Sequence, residues 1–241
     1  MKIDDDACVG CEVCLPYCPM AAIVMDGESE TARVDLDECV ECGVCFRSKI
    51  CPADAFIEEI HPWPRSVRAA FSNPLLVHKE TRVPGRGTEE AKTNEVTGQF
   101  RRGFVGVTAE MGRPGIGTRF YDVEKVAHAF AKAEVLFAAN NPVTYLMTDQ
   151  AVGKLNNEIL DQKVCSAMIE STIPVDNLPR VIKALREVAP LIDTVFSLTL
   201  STRLDEDGAA PFEKILEALK VPFFINGKSN VGLGRPLFEE D

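Results

Sequence analysis

The chain has few of the side chains that usually carry covalent chemistry. Its 241 residues include three histidines, one tryptophan and three tyrosines. His61 and His78 lie in a proline-rich stretch, and His128 stands between Ala127 and Ala129. None has a second histidine, a carboxylate pair or a serine elbow near it in sequence, so no catalytic residue is assigned. Nucleotide signatures are missing too. Gly112, Gly115 and Gly117 precede a helical pattern, but no P-loop Lys-Ser/Thr follows and the spacing is not Gly-x-Gly-x-x-Gly. No apolar run reaches the ~18–20 residues that cross a bilayer, which predicts no membrane span. Met1 to Asp6 holds no apolar core of the kind a secretory signal needs, so the expected location is cytoplasmic. Bases are short as well: 37 acids outweigh 26 Lys and Arg, for a net charge of −11. Residues 1–60 hold 14 acids and 4 bases, a surplus that repels phosphate and argues against nucleic acid. The same surplus suits steering onto a basic patch of a partner protein.

Cysteine, in contrast, is abundant, and eight of the nine fall in two motifs. The first is Cys8-x2-Cys11-x2-Cys14-x3-Cys18-Pro19, the second Cys39-x2-Cys42-x2-Cys45-x5-Cys51-Pro52. Three thiolates at two-residue intervals on a tight loop can turn onto one face of a cubane. The fourth, followed by proline, is too far along to close that corner and crosses to the other cluster. This spacing predicts two 4Fe–4S clusters, one on Cys8, Cys11, Cys14 and Cys51, the other on Cys39, Cys42, Cys45 and Cys18. A zinc site would instead use paired Cys-x2-Cys knuckles supplying four ligands per metal. A disulfide framework belongs to oxidising compartments and short secreted chains.

The neighbours of the cysteines repeat. Ile3-Asp4, Asp6, Val13 and Ala22-Ile23-Val24 return as Val34-Asp35, Asp37, Val44 and Ala55-Phe56-Ile57, which implies two copies of one small unit about an approximate two-fold axis. On these motifs, residues 1 to about 59 resemble the bacterial-type two-cluster 2x(4Fe–4S) ferredoxins. The resemblance implies single-electron transfer at low potential. One departure is visible: Phe46-Arg47-Ser48-Lys49-Ile50 puts five residues where the family usually has three. The enlarged loop is expected beside the first cluster, where it would alter exposure and potential.

The organisation expected beyond the head has two further parts. His61-Pro62-Trp63-Pro64 is stiff and extended and marks a boundary, with Trp63 anchoring the linker onto one domain. Residues 60–102 then read as a Pro/Gly-rich arm, largely irregular from 65 onward, with breakers at Pro74, Pro84, Gly85, Gly87 and Gly98. The stretch 61–120 carries 5 acids and 10 bases, and Arg82, Arg86, Lys92, Arg101 and Arg102 are positioned to neutralise the acidic head in cis or to bind an anionic ligand.

Residues 103–241 read as an α+β domain. Phe104 to Thr108 is a strand; Val123, Val126, Ala127, Phe130 and Phe137 fall at helical spacing; Asn140-Asn141-Pro142 breaks that helix. Val143–Thr148 alternates as a second strand, and Cys165, Ala167 and Ile169 share a face of a third. Asp176 would cap a helix striped by Leu178, Val181, Ile182, Leu185 and Val188. Phe196, Leu198 and Leu200 alternate as a fourth strand. Pro211 opens a last helix, and an apolar stretch from Pro222 to Ile225 follows. The order is β-α-β-β-α-β with an appended helix and strand. Met111-Gly112-Arg113-Pro114-Gly115-Ile116 is similar to the Asp-Arg-Pro-Gly turn of small-molecule-binding ACT domains, with Gly112 in place of the aspartate. That ferredoxin-like/ACT-like resemblance implies a possible ligand loop at Gly112, Arg113, Gly115 and Gly117; a tight strand-to-helix turn is the plainer reading. Lys228 to Arg235 is a second Gly-rich, basic loop. Cys165, in an apolar strand, reads as a small buried hydrophobe.

The expected function is low-potential electron transfer, as a ferredoxin-type carrier or as the dedicated electron-transfer subunit of a larger oxidoreductase. The partner is a redox protein, an oxidoreductase subunit or a second copy of the chain. The alternative class is a redox- and metabolite-responsive regulatory protein using the loop at Gly112–Gly117. A third reading is an enzyme that reduces a substrate at the cluster edge.

Overall fold

In the computed structural model, which describes residues 1–79, 82, 101–113 and 115–224, the repeat appears first as paired hydrogen bonds. The Asp4 N–H donates to the Ala55 carbonyl at 2.8 Å and the Asp35 N–H to the Ala22 carbonyl at 2.7 Å. Cys8 and Cys39 each donate at 2.9 Å, to the carbonyls of Asp4 and Asp35. Short apolar segments form the strands β1 (Lys2–Ile3), β2 (Ile23–Met25) and β3 (Ala32–Val34). The turn at Asp26-Gly27-Glu28 closes β2 onto β3, with the Asp26 N–H on the Thr31 carbonyl at 2.8 Å. A single-turn helix α1 (Val44–Arg47) carries Cys45, and β4 (Phe56–Ile57) returns antiparallel to β1. Met1, Ile3, Ile23, Ala32, Ala55 and Phe56 form the small core of this head.

The extra two residues of the second motif have a visible effect. Where the first copy makes a 3-10 turn at Leu15–Tyr17, the second makes α1, and Lys49 then takes a left-handed φ of 52°. Arg47 of this enlarged loop donates to the Cys42 carbonyl at 2.8 Å and to Asn73 at 3.0 Å. The loop thus also reaches Cys42 of the second set, while Cys51 at its end lines the first.

The segment read as irregular from residue 65 instead begins with a helix, α2 (Ser66–Ser72). Val67 and Phe71, one turn apart, are buried in the larger core, and Phe71 meets the Phe120 ring edge-on at 5.2 Å. Trp63 bonds onto the larger unit, its indole N–H donating to Glu158 at 2.7 Å. Pro84, Gly85, Arg86, Gly87, Lys92, Gly98, Pro114, Ile225 and the loop from Lys228 to Arg235 lie outside the described residues.

From Phe104 the chain builds one four-stranded antiparallel sheet. Its elements run β5 (Phe104–Met111), β6 (Thr118–Arg119), α3 (Phe120–Lys132), β7 (Leu136–Phe137) and α4 (Pro142–Tyr145). A small hairpin of β8 (Met147–Asp149) and β9 (Lys154–Leu155) follows, then β10 (Lys163–Val164) and β11 (Ala167–Pro174). The last elements are α5 (Leu178–Val188), β12 (Phe196–Ser201) and α6 (Glu213–Ala218). The sheet order is β12-β5-β11-β7, and β6 pairs β10 outside it. Alternate residues of β5, Val105, Val107, Ala109 and Met111, are fully buried in one core with the apolar stripes of α3 and α5. The opposite face is polar, Ser197 and Thr199 both donating to Glu110. Among the described residues, no helix is long and apolar enough to cross a membrane.

Several local expectations change. Glu134 turns left-handed at φ 61°, so α3 ends before Phe137, which joins β7. Asn141 starts a helix where a strand was expected: its side chain accepts the Val143 and Thr144 N–H groups and Pro142 sits at the first turn. Asp176 belongs to a 3-10 turn, and α5 follows Asn177 without a side-chain cap. Cys165 sits in the break between β10 and β11.

Candidate iron–sulfur site

The ligand loops are tight because left-handed residues turn them. Gly10 has a φ of +64°, and a Cβ there would lie 2.3 Å from the Glu30 carbonyl oxygen. Backbone N–H groups then point at sulfur: Ala22 at Cys18 (3.2 Å), Ala55 at Cys51 (3.3 Å) and Ala32 at Cys8 (3.4 Å). Two cavities result. One is walled by Cys8, Cys11, Cys14 and Cys51 together with Val9, Val13 and Phe56. The other is walled by Cys18, Cys39, Cys42 and Cys45 together with Met20, Ile23 and Val40. Cys18 and Cys51 thus each cross to the cavity of the other motif. No three His, Cys, Asp or Glu side chains among the described residues meet around a single-ion position; the thiols stand around the cavity walls.

The second set is the more buried, and its protons are held accordingly. Burial, then the Glu41 carboxylate, pushes the Cys39 thiol up to about 11. Cys45 is pushed up to about 12 by burial and then by Cys42. Cys42 is raised first by its hydrogen bond with the Cys165 thiol and then by burial. In the first cavity Cys14 is raised, chiefly by burial. Thiols grouped in this way ionise at neutral pH when a cation takes the place of their protons, which is what iron does. Four sulfurs around an apolar cavity, with N–H groups aimed at three of the eight, fit a 4Fe–4S cluster.

The two cavities differ in what surrounds them. Val9 and Val40 occupy the same place in the repeat, yet Val9 is 69% exposed and Val40 2%. Cys11 is exposed, while its counterpart Cys42 is covered in part. The covering comes from basic side chains of the larger unit and the segment leading to it. Arg68, 3% exposed, donates to the carbonyls of Leu36 (3.0 Å), Asp37 (2.8 Å) and Cys39 (2.8 Å), and to Gln162 (2.7 Å). Arg65 and the Met1 amino group both bond Glu41. Arg119 pairs with Asp37 and Glu38, and Lys163 with Glu38.

Among the described residues, Arg65, Arg68, Arg119 and Lys163 thus neutralise part of the acidic head in cis, while Arg86 and Lys92 of the expected set lie outside the described residues. Arg102 instead donates to the Leu204 carbonyl, and Arg101 stands over the Phe104 ring. Sequence reasoning missed Arg65, Arg68, Arg119, Lys163 and Cys165. The only signal for the first two was a pair of arginines flanking Val67 after the proline-rich boundary. The proposed ligand loop is packed tightly: a Cβ on Gly112 would lie 2.7 Å from the Gly117 carbonyl carbon, and one on Gly117 2.9 Å from the Met20 sulfur of the head. Gly115 faces open space and Arg113 pairs with Glu110.

Comparison with known proteins agrees with this geometry. Residues 1–71 match the 4Fe-4S dicluster domain family. Indolepyruvate oxidoreductase subunit IorA is 38% identical over 55 residues in Pyrococcus abyssi and 40% over 52 residues in Thermococcus kodakarensis. These matches cover 23% and 22% of this chain and 8% of each relative. Pyruvate synthase subunit PorD of Methanocaldococcus jannaschii is 38% identical over 53 residues, 22% of this chain and 58% of its own length. The chain thus spans less than two thirds of each of these relatives. No solved structure matches. The head, residues 1–71, is a 4Fe–4S dicluster domain, built to carry two 4Fe–4S clusters.

Proposed function

We propose that the chain transfers single electrons through its two clusters, with Cys8, Cys11, Cys14 and Cys51 holding the first and Cys18, Cys39, Cys42 and Cys45 the second. The observation that carries this is the pair of four-thiol cavities, each completed by one cysteine from the other motif. Bound 4Fe–4S clusters accept and release one electron at a time; the chain's residues hold them, aim N–H groups at sulfur and exclude water. The first cavity, with exposed Cys11, Val9 and Val13, is the port for exchange with a partner. The second lies against the larger unit. The acid surplus of the head favours a basic docking patch on an oxidoreductase subunit, in line with its likeness to IorA and PorD.

In the same reading, residues 1–59 form the cluster domain and 103–241 a ferredoxin-like α+β domain that supports it. Residues 60–79 of the 60–102 arm act as a clasp through Arg65, Arg68 and Phe71. The Gly112–Gly117 turn serves as a packing junction under Met20 instead of a metabolite loop. Cys11→Ala and Cys42→Ala test the ligand assignment. Each is expected to lower iron from about eight to about four per chain and to remove one of two cluster signals in electron paramagnetic resonance. Eight irons retained in the double variant would refute it.

A further inference from the structure

The four-stranded sheet ends differently on its two sides. One edge, β7, is two residues long and gives way to the capped turn at Asn141-Pro142. The other, β12, holds six residues, Phe196 to Ser201, in unbroken register with β5. It has no proline, no charge and no bulge, the devices that usually keep an edge from pairing. In an antiparallel ladder alternate residues turn their N–H and C=O groups to opposite sides. On the inner side β5 takes those of β12; among the described residues, no strand and no backbone hydrogen bond meets the outer side. Side-chain cover runs out at the same place. On the core face Val105, Val107, Ala109 and Met111 of β5 are fully buried, whereas Phe196, Leu198 and Leu200 of β12 are only half-buried. Phe212, Ile215 and Leu219, in and beside α6, pack against the same core and are half-buried too.

We infer that β12 pairs antiparallel with β12 of a second copy of this chain, so that one sheet runs through both. The strand's own sequence names the occupant. About a two-fold axis, residues that share a face of the sheet must meet. An axis at Thr199 sets Leu198 against Leu200, Ser197 against Ser201 and Thr199 against itself. An axis at Leu198 sets Phe196 against Leu200 and Ser197 against Thr199. Either way apolar meets apolar, hydroxyl meets hydroxyl, and no like charges are opposed. The strand is complementary to its own copy. The head bonds elsewhere on the larger unit, with Arg119 of β6 and Lys163 of β10, so the pairing takes up none of those contacts.

The test is anaerobic sedimentation of the full chain, with amide hydrogen exchange read over residues 196–201. The wild type should sediment at twice the chain mass, and every β12 amide should exchange slowly in the dimer. Dilution to the monomer should release the outward half. Combining Ser197→Lys with Thr199→Lys should weaken the dimer about thirtyfold without loss of iron. Glu110 lies beside both positions, so one copy accommodates its lysines, while four of them meet across the axis. A monomeric wild type would overturn the inference, whether its outer amides exchange freely or another part of the chain protects them. So would a double variant that stays dimeric, which would put the interface elsewhere, or a dimer whose outward β12 amides exchange freely. If the double variant fails to fold, exchange in the wild type decides. Protection lost on dilution upholds the pairing, and protection unchanged by dilution refutes it.

Discussion

A guanidinium that is 3% exposed must find acceptors for the N–H groups it buries, and Arg68 finds them in three carbonyls of one loop and the amide of Gln162. Burial lowers its pKa, but a guanidinium starts so high that it stays charged. Its neighbours Arg65 and Arg119 add repulsion, offset in part by Asp37. The arrangement is one a shorter or neutral side chain cannot copy. Arg68→Ala leaves the carbonyls of Leu36, Asp37 and Cys39 short of a donor and is expected to cost about 3 kcal/mol. Arg68→Lys restores the charge without the planar fork and should recover only part. The midpoint of denaturant unfolding of the cluster-loaded chain measures both. If Arg68→Ala unfolds with the wild-type midpoint, the clasp does not stabilise the fold.

At the scale of elements, the turn between β5 and β6 offers a matched pair of glycines. Gly112 and Gly115 are both left-handed, at φ +81° and +67°, but only Gly112 is crowded. Gly115→Ala should cost only the backbone penalty, about 1 kcal/mol. Gly112→Ala adds a clash with the Gly117 backbone and the Cys165 carbonyl, and about 3 kcal/mol in total is expected. Thermal unfolding of the two variants separates backbone conformation from packing. The long periodic elements, α3, α5 and β12, were readable in sequence because each shows many turns or alternations of one face. The crossing of Cys18 and Cys51 follows from spacing alone, since three thiols fill one side of a cavity and the fourth is out of reach. What was not readable shares a cause. In α2 only Val67 and Phe71 report helical periodicity, and prolines at 62, 64 and 74 surround them. In α4 the signal was a cap, and Asn141-Pro142 starts a helix as readily as it stops one. The Arg68, Arg119 and Lys163 contacts join residues 29 to 125 positions apart, a separation no local pattern reveals.

For the molecule as a whole, charge is distributed by use. Asp37, Glu38 and Glu41 are committed to internal partners. Asp5, Asp6, Glu12, Glu30 and Glu58 are exposed, and Glu12 lines the first cavity. A cationic one-electron mediator should therefore reduce the protein faster than an anionic one of equal potential. The ratio is expected to be about tenfold at low ionic strength and to fall toward unity as salt screens the field. Stopped-flow rates across a salt series test this; a ratio independent of salt would remove electrostatic steering from the account. The unequal surroundings of Val9 and Val40 lead further. A chimera built from two first halves would still present two complete sets of thiols. It would have Ala7 and Gly10 where the second half has Glu38 and Glu41, and so nothing for Lys163, Arg65 or the amino terminus to grip. Two halves that began as duplicates have ceased to be interchangeable parts.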